Sequence, residues 1–190
     1  MRLARLRAAN LGERWPFYSR TSPRKQAEQA LQQLDETLEA RLPRESDMKV
    51  DGACHCGRIR FEAEVDPATV VICHCTDCQT LSGSAFRTVV PTLRGSFRLL
   101  SGAPKVYVKT ADSGNKREQT FCVDCGTPIY SAPAGEDKGV VSLRVGSIRQ
   151  RDQLIPNDQF WFRSARVWLG ILPSLKRRET QPVFGRDGGR

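Results

Sequence analysis

The spacing of apolar residues changes near residue 48, which divides the chain into a helical part and a mainly extended part. From Ser22 to about Leu42 the apolar residues recur at steps of three and four, the period of an amphipathic helix. Ser22 is a suitable N-cap, Pro23 suits the first helical position, and Pro43 ends the pattern. We expect one helix over about 22–42 that packs on the domain or on a partner, because an acidic polar face disfavours a membrane surface.

Beyond Met48 the pattern becomes alternating. Ile59, Phe61, Ala63 and Val65 alternate with charged residues, which predicts a half-buried strand. Further short strands are predicted at 70–73, 86–90, 96–100, 105–109, 119–122, 128–131 and 140–145, separated by turn-forming pairs such as Ser-Gly. We therefore expect a mainly β core of short meandering strands, closed by the aromatic stretch 160–168.

Length and composition fit one domain with an extension. The chain has 190 residues, is 39% hydrophobic and has a mean hydropathy of −0.46. No apolar run approaches the roughly 20 residues that a membrane helix needs, so a transmembrane protein is excluded at this stage and a cytoplasmic location is expected. We assign 1–48 to an N-terminal extension, 49–173 to the domain and 174–190 to a basic flexible tail.

The formal charge of +9 raises the question of a nucleic-acid partner. The excess is concentrated in the ends: residues 1–25 carry six arginines and one lysine against a single glutamate. We therefore do not expect nucleic acid as the main partner. An Arg-rich, acid-poor start also fits a mitochondrial targeting segment as a minor alternative. Met48 is the only methionine besides Met1, so translation starting there is a further alternative. The oligomeric state stays open.

Seven cysteines form three clusters, and these are the main chemical signal. An odd number without a secretory signal disfavours a disulfide framework and favours metal-binding thiols in a reducing compartment. Two or three thiolates within a few residues can direct their sulfurs at one zinc ion. The clusters are Cys54-His55-Cys56, Cys73-His74-Cys75-Thr76-Asp77-Cys78 and Cys122-Val123-Asp124-Cys125.

Seven thiolates divide into a closed site of four and an open site of three. Cys73, Cys75 and Cys78 lie within six residues and can converge on one ion, which favours a three-ligand site there and a four-ligand site from the other two clusters. Spacing leaves open another division, in which the first cluster joins Cys73 and Cys75 while Cys78 joins the third. On a strand, His55 and His74 point away from the flanking sulfurs, so we do not expect either to bind the same ion.

Three motifs together resemble the glutathione-dependent formaldehyde-activating enzyme family, also called the centromere-protein-V family. They are GACHCG at 52–57, CHCTDC at 73–78 followed by SGSAF at 82–86, and FCVDCGT at 121–127. A late segment ending in Trp168 also matches. The resemblance covers about Gly52 to Trp168 and leaves the N-terminal helix outside.

The resemblance implies an Mss4-like, mainly β fold with two zinc ions. It implies a structural zinc held by Cys54, Cys56, Cys122 and Cys125, and a catalytic zinc held by Cys73, Cys75 and Cys78. It also implies carbon–sulfur lyase chemistry, the type activity being the joining of formaldehyde and glutathione to S-hydroxymethylglutathione. The expected partner is therefore a small thiol–aldehyde adduct, with glutathione as co-substrate.

An open three-cysteine zinc suits this chemistry. Its fourth position can bind a thiol, lower the pKa of that thiol and present it to a carbonyl carbon. Three anionic sulfurs weaken the ion as a Lewis acid, which favours thiol addition over hydrolysis. Arg87 is a candidate contact for anionic glutathione, Asp77 is expected to be a turn residue, and no general acid or base is identified. The alternative is a non-catalytic zinc-stabilised module that binds nucleic acid or protein.

Overall fold

A computed structural model describes residues 44–111 and 113–181, and in addition Lys25 and Glu28. The chain divides into two compact units, residues 1–42 and 43–190. In the first unit Lys25 and Glu28 are helical and exposed, and the rest of the predicted helix over about 22–42 lies outside the described residues. So do the Arg-rich start and positions 182–190 of the predicted tail. None of the described helices is long and apolar enough to cross a membrane.

The described part of the second unit contains ten strands, one α-helix and several short 3-10 segments. The strands are β1 (Met48–Ala53), β2 (Arg60–Val65), β3 (Val71–Cys73), β4 (Arg87–Pro91), β5 (Arg98–Ser101), β6 (Lys105–Thr110), β7 (Lys116–Phe121), β8 (Pro128–Pro133), β9 (Ser142–Arg144) and β10 (Asp158–Phe160). The helix α1 is Thr76–Ser82. The 3-10 segments are Pro67–Thr69, Val145–Ser147, Arg151–Gln153, Phe162–Ser164 and Val167–Ser174.

The strands form two sheets. One has three strands in the order β1-β2-β5, and the other has seven in the order β10-β3-β4-β9-β8-β7-β6. All neighbouring strands are antiparallel except β10, which runs parallel to β3 at the edge of the larger sheet. The predicted mainly β fold of short antiparallel strands is confirmed.

One hydrophobic core receives side chains from both sheets. In β2 the alternation predicted from the sequence buries Phe61, Ala63 and Val65, while the charged residues between them stay partly accessible. From the larger sheet, Val90 and Leu143 join the same cluster and are fully buried. Period-two patterning therefore fixes which face of each strand enters the core.

The other face of the larger sheet carries a cysteine and two arginines beside apolar residues such as Val89. Cys73 of β3 lies opposite Arg87 of β4, and Val89 of β4 lies opposite Arg144 of β9. Since residues i and i+2 share a face, Cys73, Arg87 and Arg144 all lie on the face opposite Val90. The sheet thus packs the core with one face and presents a cysteine among arginines with the other.

The prediction that residues 160–168 close the core is wrong. Phe160 is 47% exposed, Phe162 65% and Trp168 48%. The reason is the position of β10, which is an edge strand of the larger sheet and places Phe160 on the same face as Cys73. The aromatic segment therefore borders the face that carries Cys73.

Candidate metal centres and the adjoining cavity

Two similar turns carry the first and third cysteine clusters. After β1, the backbone N–H of Gly57 donates to the Cys54 carbonyl oxygen at 2.9 Å, and the N–H of Ile59 donates to Cys54 Sγ at 3.2 Å. After β7, the N–H of Gly126 donates to the Cys122 carbonyl oxygen at 2.8 Å. Both glycines have positive φ, 75° and 71°, which a residue with a Cβ rarely adopts. Cys54 and Cys56 therefore converge through a turn. An extended strand, on which residues i and i+2 share a face, is not what brings their sulfurs together.

The two turns bring four sulfurs together. The Sγ atoms of Cys54, Cys56, Cys122 and Cys125 all lie within 4.8 Å of one another. Cys54 Sγ is 3.5 Å from Cys56 Sγ, which is 3.8 Å from Cys122 Sγ. A tetrahedron of zinc–sulfur bonds of about 2.3 Å requires sulfur separations of about 3.8 Å, so these four residues fit such an ion.

Thr127 connects the two turns. Its hydroxyl oxygen accepts the backbone N–H of His55 at 3.0 Å and lies 3.2 Å from Cys125 Sγ. Hydrogen bonds from the Thr127 side chain and backbone hold the pKa of Cys125 at about 5. A thiol that ionises readily is suited to metal binding, because the thiolate is the ligand form.

The middle cluster is built on a strand end and a helix start. Cys73 is the last residue of β3, Cys75 is the N-cap of α1, and Cys78 lies in its first turn. The backbone N–H of Cys78 donates to Cys75 Sγ at 3.3 Å. The three sulfurs lie within 4.8 Å of one another, so this group can also hold a metal ion. The alternative division of the cysteines, which splits this cluster, is not the one that the fold brings together.

Charge within this group is uneven. A hydrogen bond from Cys78 lowers the pKa of Cys73 to about 5, against the opposing effect of burial. The same hydrogen bond, with burial and the charges of the neighbouring sulfurs, raises the pKa of Cys78. Three thiols this close cannot all ionise without a compensating cation, which is the electrostatic condition that a bound divalent ion satisfies.

Asp77 and the two histidines lie beside the sulfurs without joining them. Asp77 lies in α1, which begins directly after its N-cap Cys75, so the prediction that Asp77 is a turn residue is wrong. The Asp77 carboxylate forms an ion pair with Lys109. His55 is exposed and His74 is buried. Among the described residues, neither histidine joins the two groups of cysteines whose sulfurs could hold a metal ion.

Hydrogen bonds hold β10 and the segment after it against the middle cluster. His74 Nε2 lies 2.9 Å from Gln159 Oε1, and the His74 backbone N–H donates to the Phe160 carbonyl oxygen at 3.0 Å. Gln79 Nε2 donates to the carbonyl oxygens of His74 at 2.6 Å and of Ser164 at 3.0 Å. These contacts fix the position of the aromatic segment relative to the three sulfurs.

A cavity of about 570 Å³ opens beside the middle cluster. Cys73 and Cys78 line it, together with Arg117, Arg144 and Trp161. Trp161 has φ 58° and is the only non-glycine residue with positive φ in the part of the chain that the structure describes. Such a conformation costs of order 1–3 kcal/mol for a bulky residue and occurs most often at functional sites. The strained backbone of Trp161 therefore lies at the wall of this cavity.

Two deeply buried arginines lie behind the cysteines. Arg87 is 6% exposed and Arg144 is 8% exposed. Arg144 Nη2 donates to Gln119 Oε1 at 2.7 Å, whereas Arg144 Nε and Arg87 Nη2 have no hydrogen-bond partner within the described residues. Burial lowers the pKa of Arg87, and the charges of the three cysteine sulfurs oppose that change. Burial, with the charge of Arg87, lowers the pKa of Arg144 to about 9.

Sequence reasoning selected Arg87 but missed Arg117 and Arg144. Arg87 lies near the sulfurs and is not among the residues that line the cavity, whereas the two missed arginines do line it. Arg144 could have been noticed in the sequence, because it is a charged residue within a short, otherwise mainly apolar predicted strand, directly after Leu143. Arg117 carries no such signal, because β7 is polar along most of its length.

Two comparisons with known proteins give a match. A solved structure from Rhodobacter sphaeroides, a structural genomics target, is 19% identical, covers 57% of this chain and 98% of its own, and superposes with a TM-score of 0.44. The family model described as glutathione-dependent formaldehyde-activating enzyme matches residues 49–164 and so includes all seven cysteines. The resemblance stated from the motifs is confirmed, and the chain belongs to the glutathione-dependent formaldehyde-activating enzyme family.

Proposed function

We propose that this protein is a carbon–sulfur lyase that joins a thiol to a small aldehyde, with glutathione and formaldehyde as the pair that the family description names. One observation carries the proposal. The three-sulfur group opens into a cavity through Cys73 and Cys78, whereas the four-sulfur group is anchored in the hydrophobic core through Cys54 and Cys122. Three sulfurs leave one position of a tetrahedral ion free for a substrate, whereas four sulfurs fill all its positions and suit a structural role.

Each group receives its own role in this proposal. Cys54, Cys56, Cys122 and Cys125 hold a structural zinc, which ties the turn after β1 to the turn after β7. Cys73, Cys75 and Cys78 hold the catalytic zinc. When bound there, the zinc supplies a fourth position that accepts a substrate sulfur and lowers the pKa of its thiol. We also propose domain boundaries at 48/49 and 173/174.

The remaining site residues bind the substrate. Arg117 and Arg144 give the cavity a positive potential, which attracts an anionic thiol such as glutathione. Phe160 at the end of β10 and Trp161 directly after it line one side of the cavity and offer apolar surface to the substrate. In the reaction a bond forms between the thiol sulfur and the carbonyl carbon. The carbonyl π electrons move to oxygen, which receives the proton that the thiol has lost.

The test measures catalysis above the spontaneous reaction. Formation of S-hydroxymethylglutathione is followed by NMR exchange spectroscopy with and without zinc-loaded protein. We expect acceleration by the native chain and by Thr76→Ser, an exposed substitution in the same helical turn, and no acceleration by Cys75→Ser. If the native protein fails to exceed the spontaneous rate, this thiol–aldehyde pair is not the substrate. Equal rates for Cys75→Ser and the native chain would exclude the three-sulfur group as the reaction centre.

A further inference from the structure

We propose that residues 160–178 form a membrane-binding surface, which attaches this protein to a bilayer that contains anionic phospholipids. The inference goes beyond the proposed function and does not depend on it. It starts from the segment whose aromatic residues were expected to close the core. Eight of the sixteen large apolar side chains that are exposed in the described part of the chain lie between residues 160 and 175.

The aliphatic part of the membrane-binding surface is the 3-10 segment Val167–Ser174, in which no residue is buried. Val167 is 96% exposed, and Trp168, Ile171 and Leu172 are each about half exposed. Single exposed apolar residues are ordinary on a protein surface, whereas a continuous group of them marks a site of contact with another protein or with a membrane. This segment therefore needs a partner that removes its side chains from water.

Hydrogen bonds attach the membrane-binding surface to the domain. Arg166 Nε donates to Gln79 Oε1 at 2.7 Å, and Gln79 Nε2 donates to the Ser164 carbonyl oxygen at 3.0 Å. The backbone N–H of Leu169 donates to the Arg166 carbonyl oxygen at 3.0 Å, which closes the next turn. Backbone groups that are bonded within the chain can approach an apolar layer at low cost. The exposed aliphatic residues thus belong to a segment that is held against α1.

The charged residues within the membrane-binding surface are all basic. They are Arg163, Arg166, Lys176, Arg177 and Arg178. Asp158 and Glu179 border the surface, so five cations against two anions give residues 158–179 a net charge of +3. The three consecutive basic residues at 176–178 are exposed and form no ion pair within residues 44–111 and 113–181. Apolar side chains followed directly by basic ones match acyl chains beneath a layer of anionic headgroups.

An anionic bilayer accounts for both features of this surface, and other partners account for one. A nucleic acid would match the basic residues and leave the aliphatic side chains in water. A second copy of this chain would cover the aliphatic side chains, but a two-fold interface would bring the basic residues of both copies together. Tryptophan beside aliphatic and basic residues, as at Trp168, is typical of segments that lie at a membrane interface.

Binding is measured by co-sedimentation of the zinc-loaded full chain with two kinds of vesicle. One kind contains phosphatidylcholine alone, and the other contains phosphatidylcholine with phosphatidylserine. We expect binding to the phosphatidylserine vesicles, weaker binding when the salt concentration is raised, and little binding to phosphatidylcholine alone, because salt screens exposed charges. No binding to either kind of vesicle would overturn the proposal.

The apolar contribution is tested with a matched pair of leucine variants. Leu172→Ser should weaken binding to the phosphatidylserine vesicles about tenfold, the equivalent of about 1.4 kcal/mol. Leu100→Ser makes the same change at an exposed leucine of β5 in the smaller sheet and should leave binding unchanged. Equal weakening by the two variants would place the contact elsewhere and would also overturn the proposal.

The electrostatic contribution is tested with two double variants of equal charge. Arg177→Gln combined with Arg178→Gln should weaken binding about 30-fold, the equivalent of about 2 kcal/mol at about 1 kcal/mol for each basic residue. Arg94→Gln combined with Arg149→Gln removes the same charge from exposed, ion-paired positions and should have a much smaller effect. Equal effects would mean that only the net charge of the protein matters, which contradicts a defined surface.

Two further outcomes would identify another partner. Binding that the basic double variant abolishes and Leu172→Ser leaves unchanged would show a purely electrostatic contact, of the kind that a nucleic acid also makes, and would refute insertion of the aliphatic residues. Analytical ultracentrifugation of the chain without vesicles tests for self-association. A dimer that Leu172→Ser dissociates, in a chain that does not bind vesicles, would show that a second copy covers this surface. Circular dichroism of each variant checks that these exposed substitutions leave the fold intact.

Discussion

Replacing one sulfur by oxygen in each cysteine group should have very different effects on stability. Cys122 is 1% exposed and is a member of the hydrophobic core, and it follows β7 directly. Cys75 is only partly buried and caps a helix of seven residues. Cys122→Ser and Cys75→Ser therefore make the same chemical change at a core position and at a helix end.

The magnitude follows from what each sulfur contacts. A structural zinc contributes about 10–16 kcal/mol of apparent binding free energy, so one ligand in four accounts for roughly 3–4 kcal/mol. At position 75 the lost interaction is a hydrogen bond from the Cys78 N–H, and serine is itself a favoured N-cap, so the fold should lose less than about 1 kcal/mol. For a chain of this length about 1 kcal/mol corresponds to roughly 2–4 °C in Tm, which predicts a loss of about 10 °C for Cys122→Ser and a few degrees at most for Cys75→Ser.

Two measurements check this prediction. Thermal unfolding by circular dichroism gives the change in Tm, and elemental mass spectrometry gives the number of zinc ions per chain. We expect Cys75→Ser to retain one zinc and a nearly native Tm, and Cys122→Ser to lose the structural zinc with much of its stability. Equal loss of zinc and of Tm in both variants would refute the separation of the two groups into a structural and a catalytic role.

Three further changes test the packing around the site. Lys138→Met leaves the nearly buried Glu118 carboxylate without its cation and should cost about 1–3 kcal/mol in urea unfolding, whereas Arg94→Met, which breaks an exposed pair, should cost less than about 1 kcal/mol; equal losses would contradict this. Burial raises the pKa of Tyr130 above its ordinary value of 10, so the stability that it contributes is present below pH 10 and lost as the pH rises toward the raised pKa. Urea unfolding at pH 9.5 and 11 should thus show a smaller loss for Tyr130→Phe than for the native chain, and an identical loss would count against it. Gly52→Ala would place a Cβ 2.5 Å from a backbone carbonyl oxygen and should cost about 1–3 kcal/mol in the same assay, so unchanged stability would show that the backbone adjusts there.

Local patterning was sufficient to predict most of the β structure. Alternation in β2 predicted both the strand and its buried face, because period two is a direct consequence of strand geometry. The first and last strands, β1 and β10, were not predicted. β10 depends on a partner distant in sequence, since it pairs with β3 more than eighty residues earlier. β1 pairs with the next strand, β2, but its six residues include only Met48 and Val50 as large apolar side chains, too few to show an alternation. The helix α1 was also missed, because seven residues give too short a pattern to show a period.

The cysteine groups were partly predictable for a similar reason. Cys73, Cys75 and Cys78 are neighbours in sequence, so their convergence is a local property. Joining the first cluster to the third needs two turns to meet across the fold, and spacing allowed another division. The packing of the two sheets around one core, which includes Cys54 and Cys122, brings those turns together.

The sequence by itself determined the mainly β class, the three cysteine clusters and the family, because each depends on residue type and short spacing. The tertiary structure decided which thiols share a site, and it placed Arg144 and the aromatic segment at Trp161 beside one of them. These placements depend on strand order and register, which bring residues up to about ninety positions apart onto one face of a sheet. The spacing of residues along the sequence does not show which strands pair. The cavity and the arginines that line it could therefore be recognised only in the folded chain.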